Sequence, residues 1–343
     1  MDSPAVVAIV GAGPIGLELA VALKEAGVDH LHFDAAQIGS TISWYPVDMM
    51  FHSRADRLAI AGVPLQIPDQ QKPKRGEYLA YLRAVVQQFD LRIRSYERVE
   101  RIDRLPGGGF ELTTRSAGGE QRYRVAAVVL AVGAMHAPRL LGIPGEDSPH
   151  VSHYFRDPHD SFGMRLLIVG GRNSAVEAAI RCQRAGADVT LSYRRSDFDP
   201  QKVKWWLLPE IRGMIADGRV RFLPSTVPCE IRGRSVLIES TAGETLRELT
   251  ADAVLILTGY RQDPTLFEQA GVDMQGEARQ PVYDPATMET NVPGLFVAGT
   301  AIAGTPAGKV SVIVETCHVH VPRIVAALTG RRAEALSPGA EDD

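Results

Sequence analysis

A glycine-rich turn near the start of the chain has the spacing of a dinucleotide-binding site. Gly11, Gly13 and Gly16 follow the apolar run Ala-Val-Val-Ala-Ile-Val. This pattern predicts a tight turn, a close approach of the main chain to a pyrophosphate, and a helix packed closely on its strand. Asp34 lies 18 residues after Gly16, at the end of the next predicted strand, where a carboxylate can accept both hydroxyl groups of an adenosine ribose. These four residues predict a bound dinucleotide.

A second glycine turn repeats the layout of the first. Gly170 to Gly186 spans 16 positions, as Gly11 to Gly27 does, and in both segments a strand, a turn, a helix and a second strand are predicted. This second turn begins Gly170-Gly171 and continues with Arg172, where the first turn has a glycine. An arginine that points outward there would clamp phosphate.

The residue equivalent to Asp34 in the second copy is Tyr193, because both lie 23 positions after the first glycine of their turn. Arg194 and Arg195 follow it. Without the carboxylate, a 2′-phosphate is no longer repelled, and two guanidinium groups add charge-assisted donors for it. The pattern favours NADPH, and the alternative is a solvated arginine pair at the end of a strand.

The duplication predicts an α/β fold with two Rossmann-like dinucleotide-binding domains, in which the second is inserted in the first. We place FAD in a discontinuous domain of residues 1–160 and 286–343, and NADPH in residues 161–285. Two cofactor folds imply hydride transfer between a nicotinamide and a flavin, for which the protein supplies orientation and electrostatics.

The composition excludes several other classes of protein. The formal net charge of -4 is unlike that of a nucleic-acid binder. No apolar run approaches the roughly 20 residues of a membrane-spanning helix. The three cysteines have no CxxC spacing, and the N-terminus does not resemble a signal peptide, so a cytoplasmic setting is expected. The histidine pairs lack a third ligand, so no metal is expected.

Four longer segments, at 143–159, 170–179, 202–211 and 288–299, are similar to those of a known family. They resemble the pyridine nucleotide-disulfide oxidoreductase superfamily in its thioredoxin-reductase-like branch, and within it the YpdA-type bacillithiol disulfide reductase group. The resemblance implies an FAD-containing, NADPH-dependent oxidoreductase that forms a homo-oligomer and reduces a low-molecular-weight disulfide.

The resemblance also implies roles for particular residues. The FAD pyrophosphate and ribose would be held by Gly11, Gly13, Pro14 and Asp34. Val99 would contact the adenine, and Gly133 would form the strand-end turn beneath the cofactor. Near the ribityl chain and isoalloxazine would lie Gly299, Thr300, Lys309 and Val310. The NADPH contacts would be Asn173, Ser174, Arg194, Arg195 and Lys204.

The chain departs from the family at three places. It lacks the redox CxxC of thioredoxin reductases, and Gly299-Thr300 stands where most members have Gly-Asp. The bacillithiol reductases carry a suspected redox cysteine in the first glycine turn, where this chain has Ile15. The catalytic residue is therefore unknown. Cys317 is a weak candidate, because packing in a helix core explains it better.

Trp44 and Tyr45 precede a proline in a loop whose position would cover the isoalloxazine. Stacking on the flavin and plain core packing both explain them.

Three other functions fit the two cofactor folds. A ferredoxin or flavodoxin reductase would pass electrons to a protein carrier without a CxxC. A flavin monooxygenase would activate oxygen. A redox sensor would bind NADPH without catalysis.

Overall fold

The structure is a computed structural model that describes residues 6–243, 246–305 and 312–330. The chain separates into two compact units. The first comprises Met1–Ser43, Asp48–His136 and Arg261–Asp343, and the second comprises Trp44–Val47 and Ala137–Tyr260. Most of the second unit is thus inserted in the sequence of the first. The predicted bounds of the two cofactor domains, at 160/161 and 285/286, stay a prediction.

The described strands are, in chain order, β1 Val7–Val10, β2 His30–Phe33, β3 Ile93–Arg94, β4 Arg98–Arg104, β5 Phe110–Ser116, β6 Gly119–Val125, β7 Ala127–Leu130, β8 Ala137–Pro138, β9 Val151–Ser152, β10 Arg165–Val169, β11 Asp188–Tyr193, β12 Val220–Pro224, β13 Thr226–Arg232, β14 Ser235–Ser240, β15 Leu246–Thr250, β16 Ala253–Ile256, β17 Tyr260–Arg261, β18 Met274–Gln275, β19 Gln280–Pro281 and β20 Leu295–Val297. The described α-helices are α1 Pro14–Glu25, α2 Ser40–Ser43, α3 Ala55–Leu58, α4 Arg75–Gln88, α5 Asn173–Arg184, α6 Leu207–Ala216, α7 Thr265–Gln269, α8 Val314–Cys317 and α9 His320–Thr329, and 3₁₀ helices lie at Pro158–Ser161 and Gly299–Ala303.

A five-stranded parallel sheet forms the centre of the first unit, in the order β20-β7-β1-β2-β3. Every residue of β1 and β7 is buried, as the branched apolar runs of a parallel sheet require. The next helix, α1, begins at Pro14, which lacks the N–H that a first helical position leaves unpaired. Gly27, with φ +70°, follows the helix in the left-handed conformation. The first glycine turn thus lies at the carboxyl end of the central strand.

The second unit contains a matching parallel sheet in the order β12-β11-β10-β16-β9. The register is the same in both units: Val10 pairs with Phe33, and Val169 pairs with Ser192. The predicted α/β fold with two Rossmann-like folds is therefore confirmed.

Each unit also carries a three-stranded antiparallel sheet, β4-β5-β6 in the first and β13-β14-β15 in the second. The sequence of residues 219–248 predicts a short meander, but only the part from β13 onward is antiparallel. Its first segment, β12, pairs in parallel with β11 and so extends the nucleotide-binding sheet.

The sequence predicts a last helix from about 310 to 328, but in the structure this segment is divided. α8 ends at Cys317 and α9 begins at His320. Pro322 explains the break, because proline has no N–H to donate and its ring excludes the carbonyl oxygen four residues earlier, that of His318. The start of the predicted helix, with Lys309 and Val310, lies outside the described residues.

None of the described helices combines the length and the apolar character that crossing a bilayer requires.

Candidate functional site

The main chain of the first glycine turn leaves no room for side chains at two of its three glycines. A Cβ at Gly11, where φ is +109°, would lie 2.4 Å from the carbonyl oxygen of Ala131. A Cβ at Gly16 would lie 2.0 Å from that of Gly11. At Gly13, by contrast, a Cβ would meet no described atom within 4 Å. The turn is closed on its protein side and open at Gly13, as an approach to a pyrophosphate requires.

Asp34 follows β2 and is joined to this turn. One carboxylate oxygen accepts from the N–H of Ala12 at 2.7 Å and the other from the N–H of Ala36 at 2.8 Å. Burial raises the pKa of Asp34, and the two main-chain donors oppose that effect. Each oxygen keeps a lone pair that a ribose hydroxyl can use.

Val99 lies on β4, close in the chain to the partners of Asp34. The main-chain N–H of Glu97 donates to the carbonyl oxygen of Asp34 at 3.0 Å. The main-chain N–H of Asp34 donates to the carbonyl oxygen of Arg94 at 3.1 Å. Val99 itself is 6% exposed and packs in the core of the first unit. Its predicted contact with an adenine stays a prediction.

Gln262 joins the strand end at Gly133 to the 3₁₀ helix that contains Thr300. Its buried side-chain amide donates to the carbonyl oxygens of Gly133, at 2.9 Å, and of Ala301, at 2.8 Å. Gly133 has φ +79°, and a Cβ there would lie 3.7 Å from the hydroxyl of Thr300. Sequence reasoning missed Gln262, because its segment, Tyr-Arg-Gln-Asp-Pro, has the composition of an exposed loop.

Ile15 and Gly299 pack against each other. Ile15 is 5% exposed, and a Cβ at Gly299 would lie 3.4 Å from the Cβ of Ile15. The position at which the resembling group has a cysteine is thus filled by a buried aliphatic side chain.

His32 and His320 belong to the histidine pairs that the sequence analysis weighed only as metal ligands. Both also contact these turns. The Nε2 of His32 lies 3.0 Å from the carbonyl oxygen of Gly11, and the N–H of Gly299 donates to the Nδ1 of His320 at 3.0 Å. Among the residues that the structure describes, no three His, Cys, Asp or Glu side chains form a ligand set for a metal.

The second glycine turn is packed by an aromatic ring. A Cβ at Gly170, where φ is +145°, would lie 2.6 Å from the carbonyl oxygen of Leu257, and one at Gly171 would lie 2.4 Å from the ring of Tyr193. That ring is 6% exposed and stacks on Phe198. The residue in the place of Asp34 is therefore part of the core.

The residues predicted to contact NADPH include several around the N-terminus of α5, and their contact with a nucleotide stays a prediction. Arg172 precedes the helix, and both it and Ser174 are exposed. The side-chain oxygen of Asn173 accepts from the main-chain N–H of Lys204 at 2.8 Å. This bond ties the segment before α6 to the start of α5, and the Lys204 ammonium lies 5.8 Å from the centroid of the Trp206 ring.

Arg194 and Arg195 are exposed just after β11. Arg195 lies 3.6 Å from a carboxylate oxygen of Asp199, which Lys202 also contacts at 3.0 Å. These ionic contacts lower the pKa of Asp199, and the Lys202 hydrogen bond is the largest cause. Positive charge thus gathers beside the second glycine turn.

The segment Trp44–Val47 belongs to the second unit. Val47 donates its N–H to the carbonyl oxygen of Arg156 at 2.7 Å, and the Trp44 ring lies edge-on to Tyr154 at 5.5 Å. Burial raises the pKa of Tyr45. The predicted stacking of Tyr45 on a flavin stays a prediction.

All three cysteines are free thiols. Burial raises the pKa of Cys317 to about 12 and that of Cys182 to about 11, and it also raises the pKa of Cys229. A thiol is a nucleophile only as the thiolate, so none of these groups is activated for exchange.

A family model described as pyridine nucleotide-disulphide oxidoreductase matches residues 8–299 of the chain. The chain belongs to the pyridine nucleotide-disulphide oxidoreductase family. It is an oxidoreductase and a flavoprotein, and membership of the family implies the use of a flavin and a pyridine nucleotide.

Relatives within the family extend over nearly the whole chain. The bacilliredoxin reductase Bdr of Bacillus subtilis is 32% identical over 323 residues, which are 94% of this chain and 97% of that protein. The solved structure of the bacillithiol disulfide reductase Bdr from Bacillus cereus has 30% identity and a TM-score of 0.89, with 96% of this chain and 99% of that one covered. A ferredoxin–NADP reductase of Ignicoccus hospitalis is 30% identical, with 88% and 90% covered. The predicted resemblance to the bacillithiol disulfide reductase group is confirmed.

Proposed function

We propose that the protein reduces a low-molecular-weight disulfide such as bacillithiol disulfide, with FAD bound to the first unit and NADPH to the second. The acceptor is proposed from the similarity to the bacillithiol disulfide reductases. The observation that carries the assignment of the cofactors is a difference between two equivalent positions, one in each unit. The first turn has a carboxylate, Asp34, and the second has the buried ring of Tyr193, followed by the exposed Arg194 and Arg195. A carboxylate suits ribose hydroxyls, whereas arginines suit a 2′-phosphate.

The residues of the first unit fit FAD. The turn is open at Gly13, the first turn of α1 has no side-chain cap, and Asp34 keeps lone pairs for a ribose. We assign the FAD contacts to these and to the other predicted residues of the first unit, Gly11, Pro14, Ile15, Gly16, Val99, Gly133, Gly299 and Thr300.

The residues of the second unit fit NADPH. The start of α5 would receive the pyrophosphate beside Gly170, Gly171 and Arg172, and Asn173, Ser174 and Lys204 surround it. Arg194 and Arg195 would bind the 2′-phosphate. Asp199 lies 3.6 Å from Arg195.

Bound together, the cofactors supply hydride transfer from the nicotinamide to the flavin and a two-electron reduction of the acceptor. The overall reaction consumes one NADPH, one proton and one disulfide, and it yields NADP⁺ and two thiols. The protein supplies orientation through the glycine turns and selects the donor through its arginines. Burial raises the pKa of its three thiols, so the acceptor would be reduced without a thiol relay.

A second candidate function is reduction of a ferredoxin. A relative of 30% identity carries that name, and a ferredoxin reductase needs no thiol either.

The test is anaerobic reduction of the FAD-loaded protein by NADPH or NADH, followed by oxidised bacillithiol, ferredoxin or air in separate runs. We expect loss of the oxidised flavin absorption with NADPH and fast recovery with oxidised bacillithiol. Recovery with ferredoxin but not with the disulfide would favour the second candidate. Recovery with air alone would contradict both and point to a monooxygenase.

A further inference from the structure

Two buried imidazoles contact the glycine turns of the first unit. His32 on β2 is 1% exposed, and His320 at the start of α9 is 4% exposed. His32 reaches the carbonyl oxygen of Gly11, and His320 reaches the N–H of Gly299. Both contacts are to main-chain atoms, so the side chains act on the conformation of the turns.

The chemistry of these partners determines where each imidazole carries its proton. A carbonyl oxygen only accepts, so the Nε2 of His32 must carry a hydrogen and donate it to Gly11. A main-chain N–H only donates, so the Nδ1 of His320 must be bare and its proton must lie on Nε2. Both rings are therefore the same tautomer, but they use opposite nitrogens.

Both rings are also neutral. Burial lowers the pKa of His32 to about 4 and that of His320 to about 4. A second proton on His320 would place an N–H against the N–H of Gly299. On His32 it would fall on Nδ1, which is buried and meets no hydrogen-bond partner among the described residues.

One peptide group of the first turn is held on both sides. The carbonyl oxygen of the Gly11–Ala12 peptide accepts from His32, and its N–H donates to Asp34 at 2.7 Å. His32 and Asp34 are two residues apart, so both project to the same side of the strand. Rotation of this peptide would break both bonds, because carbonyl and N–H point in opposite directions from one plane.

The second turn lacks this arrangement. By register, Leu191 stands in the place of His32 and Tyr193 in the place of Asp34. Leu191 is fully buried and has no polar atom on its side chain, and the Tyr193 ring packs on Gly171. Hydrogen bonding of the turn peptide by two side chains is therefore a property of the first turn and not of the Rossmann fold as such.

We propose that His32 and His320 are positioning residues of the flavin site, which as neutral imidazoles protonated on Nε2 hold the Gly11 and Gly299 peptides in the orientation that receives the dinucleotide. This inference rests on the proposed assignment of FAD to the first unit. Neither histidine is required to touch the flavin.

The first experiment reads the tautomers directly. Two-dimensional ¹⁵N NMR of the imidazoles in the flavin-loaded wild-type protein separates protonated from bare ring nitrogens, and the signals of His32 and His320 are assigned by their loss in single variants. We expect Nε2 protonated and Nδ1 bare in both, at pH 7. A proton on Nδ1 of either ring would overturn the proposal for that residue.

The second experiment uses amides as partial replacements. The side-chain oxygen of Asn occupies the place of an imidazole Nδ1, and the amide nitrogen of Gln that of Nε2. His320→Asn and His32→Gln should therefore keep the flavin, whereas His320→Gln and His32→Asn should weaken its binding about tenfold or more, the cost of one buried hydrogen bond. Flavin release is measured by fluorescence on equilibrium dialysis.

Equal flavin affinities in all four variants would show that the rings only fill space and would overturn the proposal. If a variant does not fold, the tautomers measured in the wild-type protein still decide whether the proposal holds. If the wild-type protein binds no flavin, the proposed function fails, while the same NMR measurement on the flavin-free protein still reports how the two rings hold their peptides.

Discussion

The guanidinium of Arg181, on α5, donates to the main-chain carbonyl oxygen of Val47, a residue 134 positions earlier in the chain. The same side chain lies 5.2 Å from the centroid of the Phe155 ring and pairs with Glu177 at 3.3 Å. One partly buried cation thus hydrogen-bonds the segment Trp44–Val47 to α5, while Glu177 and the Phe155 ring hold its guanidinium in place.

Arg181→Ala should release this segment. The N–H of Val47, which donates to Arg156, should exchange with deuterium about tenfold faster or more, since one buried hydrogen bond to a charged group is lost. Hydrogen exchange with mass spectrometry measures the peptide that contains Val47. Arg212→Ala is the matched control, because Arg212 pairs with Asp197 at an exposed site of the same unit. Equal exchange in both variants would contradict the role of Arg181.

Replacement of Arg194 and Arg195 together by Gln should raise the Kd for NADPH by roughly 10- to 100-fold, which corresponds to loss of hydrogen bonds to a charged group. The Kd for NADH should not change, because NADH has no 2′-phosphate. Titration calorimetry with each nucleotide gives both values. Arg219→Gln, which removes an exposed arginine paired with Asp217, should alter neither.

The protein should lose stability in acid through His32. Its native pKa of about 4 lies below the 6.5 of an unfolded histidine, so both states are neutral at pH 7 and only the unfolded state gains a proton as the pH falls. The free energy of unfolding should therefore drop by about 2 kcal/mol between pH 7 and pH 5 on account of this residue. In His32→Gln, which does not titrate, the drop measured by urea unfolding should be smaller by that amount. His159→Gln, at an exposed position, should behave as the wild type does.

Gln262→Leu should lower the free energy of unfolding by about 1 to 3 kcal/mol, because the carbonyl oxygens of Gly133 and Ala301 lose their buried donor. Gln262→Glu should be at least as harmful, since a carboxylate would face two carbonyl oxygens. Urea unfolding of the flavin-free protein measures both. Gln121→Leu, on an exposed face of β6, is the control, and an equal loss there would refute the assignment.

A variant without cysteine, Cys182→Ala, Cys229→Ser and Cys317→Ala, should still turn over NADPH with its disulfide. Burial raises the pKa of all three thiols, so we expect none of them to serve as a relay. Consumption of NADPH with oxidised bacillithiol measures this. A loss of about tenfold or more in a variant that folds normally would show that a thiol takes part.

The sequence predicted the parts of the site that depend on local spacing. The glycines and Asp34 follow from one strand, one turn and the next strand, which is a short-range pattern. Gln262 escaped prediction because its partner Gly133 lies 129 residues away. His320 escaped because its role depends on the register between the last helix and the end of β20.

The divided last helix was predictable and was missed. Pro322 stands in the third position of α9, and proline in a helix interior breaks the hydrogen bond to the fourth preceding residue. The apolar periodicity of the segment, taken alone, predicts one continuous helix. The same break sets where His318 and His320 point, and thus which of them reaches Gly299.

The burial of the cysteines also bears on the conditions under which the protein can work. Peroxides and alkylating reagents attack thiolates, and the raised pKa of each thiol lowers the thiolate fraction near neutral pH. A reductase that depends on an exposed dithiol is inactivated by the same oxidants that produce its substrate. In the proposed function no such dithiol takes part, and position 15 holds an aliphatic side chain, so oxidation of a catalytic thiol would not be a route to loss of activity.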